Sequence, residues 1–249
     1  AALSAIAMVG VLGTVPGGRT DPAATPRVRD ELRMLANPLI WLTYATTALA
    51  TAGMLAIFSY LAPLLTDATG LPASWVPAVL AGYGAGALLG ITVGGRTADA
   101  HPFATLYAGI TGLVVSAVAL ALAATVPAVA VPLVVLVGAF GFAINPTLNI
   151  RVFSLTGETS ALAAATNVAA FNVGITTGPW LGGRAIDAGL GYPSVAWIGA
   201  VLGVGALGTV LLAARRTGRN RRTASAGTRA AGADRLAGVD AADRSGRAG

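Results

Sequence analysis

An all-α polytopic membrane protein is the fold class this sequence predicts, and three observations carry that prediction. Of 249 residues, 55% are hydrophobic and 10% charged, where a soluble domain carries about 25% charged. The mean hydropathy is +0.74. The apolar residues fall in long uncharged stretches, and the cationic residues crowd into every second interval between them. No soluble fold of this length could bury so much apolar surface. Glycine, at 33 residues, suits the close helix packing that lipid demands.

A bilayer core needs about 20 consecutive apolar residues per helix, so uncharged runs are the unit to count. Residues 1–15 read as the last part of a spanning helix, with no basic start and no cleavage site of the secretory kind. A charged linker, residues 16–37, follows. The run between Arg33 and Asp67 predicts a helix over 38–65, and the run between Asp67 and Arg96 a second over 75–94. The stretch 102–150 carries no charge and is too long for one span. Thr125, Val126 and Pro127 divide it into helices over 104–124 and 128–143. A fifth is expected over 161–181 and a sixth over 193–213, making a six-helix bundle across 38–213. The tail, 214–249, is Arg, Ala, Gly and Asp with few large apolar residues, a composition expected to stay disordered.

Orientation follows from arginine, which supplies all sixteen cationic residues. Arg19, Arg27, Arg29, Arg33, Arg96, Arg151 and nine in the tail fall on one side; only Arg184 falls on the other. By the positive-inside rule the arginine-rich side, with the C-terminus, is expected in the cytoplasm of a cell-membrane protein. The basic balance therefore points to a lipid surface and not to nucleic acid. The cluster from Arg215 to Arg222 reads as an anchor to anionic lipid.

Several chemistries are excluded. Cysteine is absent and His101 is the single histidine, so neither a disulfide framework nor a thiolate or histidine metal cluster is expected. A retinal photoreceptor needs a lysine amine for its Schiff base, and the chain has no lysine. A membrane-embedded hydrolase needs a positioned acid and base within the spans. Ionisable groups inside a span are functional by default, and none is expected here: Asp67, Asp99, Glu158 and Asp187 fall at span ends. The chain is read as neither an enzyme nor a cofactor carrier.

Two glycine rows stand out. Gly82, Gly86, Gly90 and Gly94 recur every fourth residue on the second full helix, so they share one face. On the fifth, Gly174, Gly178 and Gly182 repeat that spacing, with Pro179 and Gly183 interleaved. Pro179 removes one ladder hydrogen bond and bends the helix. Plain helix association explains one such row. Two rows, one of them bent, suit helices that rock against neighbours.

The segment Gly174–Gly183 resembles the antiporter motif of the major facilitator superfamily, G-x8-G-x3-G-P-x2-G-G, with Ala165 in place of the leading glycine. In that family the motif lies on the fifth of twelve helices, and the eleventh is its internal-repeat counterpart. Gly95, Arg96 and Asp99 resemble the start of the family's cytoplasmic loop motif between helices eight and nine, although Ala100 and His101 replace the basic residues that normally follow. The loop that begins at Gly182-Gly183-Arg184 is similar to the one after helix eleven in the drug:proton antiporter branch, most of all in bacterial arabinose and chloramphenicol efflux proteins. The resemblance implies that residues 1–15 end a sixth helix, that 16–37 is the central cytoplasmic loop, and that the six spans correspond to helices seven to twelve. An N-terminal half would then be the missing partner. The function implied is proton-coupled efflux of a small amphipathic drug by alternating access. A sugar exporter and a non-transporting scaffold are the alternatives.

In the resembled family, helices seven, eight, ten and eleven line the cavity, and coupling acids commonly lie in the first half. No fixed charge falls within these spans, so substrate contact is assigned to aromatic and uncharged polar residues: Tyr44, Thr47, Phe58, Tyr83 and Asn172. Thr43 and Thr51, Thr166, Asn167 and Thr176, and Asn145 and Asn149 near a helix end at Pro146 complete the polar set.

Overall fold

The computed structural model describes residues 36–156 and 161–219, and every regular element among them is helical. The expected helix over 1–15, nearly all of the linker and residues 220–249 lie outside the described residues. Seven helices of eight residues or more are described. They are α1 (Pro38–Ser59), α2 (Val76–Ala98), α3 (Pro102–Leu122), α4 (Pro127–Ala143), α5 (Asn145–Thr156), α6 (Ala161–Asp187) and α7 (Ser194–Arg219).

Proline opens four of them. Pro38, Pro77, Pro102 and Pro127 occupy the first or second position of α1 to α4. There the missing N–H costs nothing, because the first helical donors have no partner in any case. Asn37 caps α1, its Oδ1 accepting from the Leu39 N–H at 3.0 Å. At the far end α1 breaks at Tyr60 into a short turn, Leu61–Pro63, and a π-helical segment, Leu64–Ala68. The predicted single span over 38–65 is therefore a helix followed by a widened end.

Two other boundaries differ from expectation. The chain does not leave the helix at Pro146. It breaks at Ile144 and restarts as α5, because Pro146 falls in a first turn that tolerates it. The stretch Pro127–Thr156 thereby becomes one broken 30-residue span, and a segment expected as loop is helix. Likewise α7 runs past residue 213 to Arg219, so the start of the expected disordered tail is helical.

Among the described residues five helices are long and apolar enough to cross a membrane: Pro38–Ser59, Ala73–Ala98, Pro102–Leu122, Pro127–Thr156 and Ser194–Arg219. Six spans are predicted from the sequence. The difference is α6, whose 27 residues exceed bilayer thickness but whose apolarity is diluted by Thr166, Asn167, Asn172, Thr176 and Thr177. The outside of the bundle is apolar: Leu88, Leu122 and Val201 are each about 70% exposed. Large side chains so placed are compatible with lipid and not with water.

Packing follows the glycine rows. Helix α2 lies along α4, α6 along α1, and α3 against α4. Helix α7 meets α1 where Gly199 and Gly53 face each other's backbone, and the Thr46 and Thr209 hydroxyls pair at 2.8 Å. The main core gathers Ile57, Leu64, Leu113, Leu120, Val137 and Val195, all at most 1% exposed.

Candidate functional site

Each glycine row forms a seam inside this bundle. A Cβ built on Gly86 would stand against the Val135 carbonyl, on Gly90 against that of Ala139, and on Gly94 against that of Ala143. Gly82, at the end of the row, faces the Val135 side chain. The partners on α4 advance four residues at a time in step with α2. The second seam repeats the pattern: Gly174 faces the Ala48 carbonyl and Gly178 that of Ala52 on α1. Beyond Pro179, Gly182 takes the Tyr60 ring and Gly183 the Tyr60 hydroxyl. That hydroxyl donates to the Pro179 carbonyl at 3.0 Å. The paired glycines therefore seat an aromatic latch between the C-terminal ends of α1 and α6.

A chain of uncharged polar groups joins α1, α5 and α6. The Thr47 hydroxyl lies 3.1 Å from the Thr43 carbonyl and 3.2 Å from Asn167 Oδ1, so one proton is shared between them. Asn167 Nδ2 donates to Asn149 Oδ1 at 3.0 Å, and Asn149 Nδ2 donates to the Asn145 carbonyl at 3.0 Å. Thr47 and Asn167 are 0% and 2% exposed. Thr47 is thus sealed in an interhelical network and not turned to an open face, while Asn149 is the exposed end of the chain. Such bonds in bundles average about 0.6 kcal/mol and reach about 1.7. Asn167→Leu removes both interhelical bonds but leaves the Thr47 hydroxyl its bond to the Thr43 carbonyl and Asn149 its exposure, and is expected to cost about 1 kcal/mol by thermal unfolding in detergent. An unchanged melting temperature would show the network to be idle.

The other predicted substrate residues divide into three places. Phe58 and Tyr83 come together, ring centroids 4.9 Å apart, and Tyr83 meets Phe142 edge-on at 6.3 Å. Phe58 is 40% exposed while Tyr83 is buried, so Phe58 is the open end of a three-ring cluster across α1, α2 and α4. Tyr44 is buried, and its hydroxyl donates to the Ala163 carbonyl at 3.0 Å. Its ring edge borders a groove of about 320 Å³ between α1 and α6, together with Trp41, Ala48, Thr166, Ala170 and Val173. Trp41 stands edge-to-face with Tyr44 at 6.0 Å. Asn172 is exposed on α6, one turn before the exposed Thr176. Trp41, as a groove-lining residue, and Phe142, as the third ring of the cluster, are aromatic contacts the sequence reading misses. Both are aromatic residues on helices assigned to the cavity, and that was their available signal.

At the arginine-rich end, Gly95 and Arg96 lie on the last turn of α2 and Asp99 caps it. Arg96 is exposed, and no atom would meet a Cβ at Gly95. Asp99 borders a cavity of about 500 Å³ with Ile150, Phe153 and Ser154 of α5. One expectation fails here. Arg151, on the 127–156 span, is 9% exposed, its guanidinium carbon 4.2 Å from the Phe103 ring centre. The sequence places it in a cytoplasmic loop, and the persistence of helix beyond Pro146 carries it into the packing.

The arrangement offers aromatic surface, amide and hydroxyl groups and no carboxylate. Among the described residues the acids are Asp67, Asp99 and Asp187, all at helix ends, and no group of three metal-ligating side chains occurs. No family model matches the chain. Curated relatives do. It is 36% identical over 198 residues to a chloramphenicol resistance protein of Streptomyces lividans, covering 79% of this chain and 50% of that protein. It is 33% identical over 216 residues to the inner membrane transport protein YdhP of Escherichia coli, covering 87% of this chain and 55% of the relative. It is also 33% identical over 217 residues to the MFS-type transporter YtbD of Bacillus subtilis, covering 83% and 54%. The chain spans about half the length of the relatives it matches.

Proposed function

The chain belongs to the major facilitator superfamily, and from that premise we propose that it supplies one half of a secondary transporter that exports small, uncharged amphipathic compounds of the chloramphenicol kind. The relatives are named as membrane transporters or a resistance protein and not as enzymes. The observation that carries the substrate class is the combination of Phe58, Trp41, Tyr44 and Asn172 on accessible surface or at its edge with no ionised group among them. A fixed charge would favour an ion. Aromatic faces with a few amides favour a neutral ring bearing hydroxyl or amide groups.

The mechanism proposed is alternating access, with solute held near mid-membrane between two bundles that rock around it. The six helices from 38 to 213 act as one bundle, the C-terminus lies in the cytoplasm, and the N-terminal half is the partner. Proton exchange drives export, and the coupling acid comes from that other half, because the carboxylates described here sit at helix ends. The glycine seams lie within the bundle, so they hold it rigid as it rocks and are not themselves the sliding surface.

The test is drug susceptibility. The chain is expressed in a chloramphenicol-sensitive bacterium alone, and with the N-terminal half of the Streptomyces lividans relative. Resistance is expected with both halves present and lost when an uncoupler collapses the proton gradient. Equal susceptibility with and without the pair counts against the proposed substrate. Resistance that survives the uncoupler counts against proton coupling.

A further inference from the structure

Arg151 is nine-tenths buried, and among the described residues no carboxylate pairs with it; its guanidinium carbon lies 4.2 Å from the Phe103 ring centre, and Tyr107 is its other neighbour of opposite polarity. A buried cation with two aromatic neighbours and no paired carboxylate is under-compensated, since burial removes water from a group with five donors. The ring it covers belongs to the first turn of α3, where His101 at the cap makes no side-chain bond to the free helical N–H groups. That turn carries the positive end of a 21-residue helix. One turn before Arg151 on the same face of α5 lies Thr147, fully buried, with its hydroxyl unpartnered. Thr43, Thr47 and Thr156 each bond the carbonyl four residues back; Thr147 does not.

Two adjacent helices thus bring donors and positive charge together, with no carboxylate paired to them among the described residues. We propose that this corner, built from Arg151, Thr147 and the first turn of α3, binds one phosphate group at the arginine-rich end of the bundle. Phosphate is favoured over a monatomic anion by geometry. A guanidinium is a planar fork of N–H donors, which two phosphate oxygens match and a monatomic anion does not. A cavity of about 500 Å³ is lined by Ile150 and by Ser154, which is three residues after Arg151 and so beside it on the surface of α5, and this is the approach proposed for a headgroup. Asp99, on the rim of that cavity, is expected to oppose an anion's approach by repulsion.

The experiment uses the full chain purified in a neutral maltoside, with bound ligand counted by native mass spectrometry and melting temperature followed in parallel. The probes are phosphatidylglycerol, inorganic phosphate and a phosphorus-free neutral glycolipid. Wild type is expected to retain one phosphatidylglycerol and to melt higher with it, while the glycolipid does neither. Inorganic phosphate that displaces the lipid and raises melting by itself assigns the site to free phosphate; failure to do so assigns it to a lipid headgroup. Arg151→Gln is expected to weaken binding at least about tenfold, and Asp99→Asn to tighten it. Thr147→Val, which keeps the charge and the side-chain shape, is expected to weaken it a few-fold and decides the matter should Arg151→Gln not fold. An Arg216→Gln, Arg219→Gln double variant is expected to keep the retained ligand, which separates this corner from the helix end near the tail. Equal retention of glycolipid and phosphatidylglycerol, or binding unchanged in both the Arg151 and Thr147 variants, overturns the proposal.

Discussion

Gly90→Ala is expected to destabilise the bundle by about 1–3 kcal/mol, although alanine is the better helix former by about 1 kcal/mol. The added methyl would occupy the position of the Ala139 carbonyl on α4. A backbone atom cannot swing aside as a side chain can, so α2 and α4 must separate along the whole Gly86–Gly94 seam. Gly178→Ala meets the Ala52 carbonyl in the same way, and Gly86→Leu and Gly178→Leu are expected to exceed both and to abolish export in the paired halves. Gly84 gives the control. It lies on the same helix, but no atom stands within 4 Å of a Cβ there, so Gly84→Ala is expected to be neutral or to stabilise by up to about 1 kcal/mol. Thermal unfolding in detergent compares the four alanine and leucine variants with the control. Equal melting of Gly90→Ala and Gly84→Ala would mean that the seam is not a close backbone contact.

The second large effect is expected at Tyr83. Its ring packs on Gly138 and between Phe58 and Phe142, and Tyr83→Ala opens a cavity at the junction of three helices. The expected loss is about 3 kcal/mol, or roughly 6–12 °C in melting temperature for a chain of this size. Phe58→Ala separates packing from binding. That ring is 40% exposed, so its removal is expected to shift melting by less than about 3 °C and to reduce chloramphenicol export several-fold in the paired halves. Export unchanged in Phe58→Ala would remove the aromatic cluster from the substrate path.

Much of this architecture is legible in the residues because the strongest signals are local. Prolines 38, 77, 102 and 127 fall at helix starts, where the missing donor is harmless, while Pro132 and Pro179 lie inside helices. The break before Pro127 and both glycine rows are visible for the same kind of reason. The partners of those rows are not, because four-residue spacing shows that a face is bare and not what lies against it. Thr47 illustrates the limit. Its place in a polar stripe suits cavity lining or interhelical bonding equally, and only the approach of Asn167 decides for the latter. Arg151 escapes for a different reason. Pro146 looks like a helix end, yet it falls in the first turn of a restarted helix, so a residue expected in a loop is drawn under α3.

Everything rests on helices held in lipid with their arginine-rich ends on the cytoplasmic side. The chain has no cysteine, so single cysteines report position without background. Leu190→Cys lies in the turn between α6 and α7, and His101→Cys in the turn between α2 and α3, both exposed. With intact cells, a membrane-impermeant maleimide is expected to label Leu190→Cys at once and His101→Cys only after the membrane is opened. Labelling of both positions from outside, or of neither, contradicts the account.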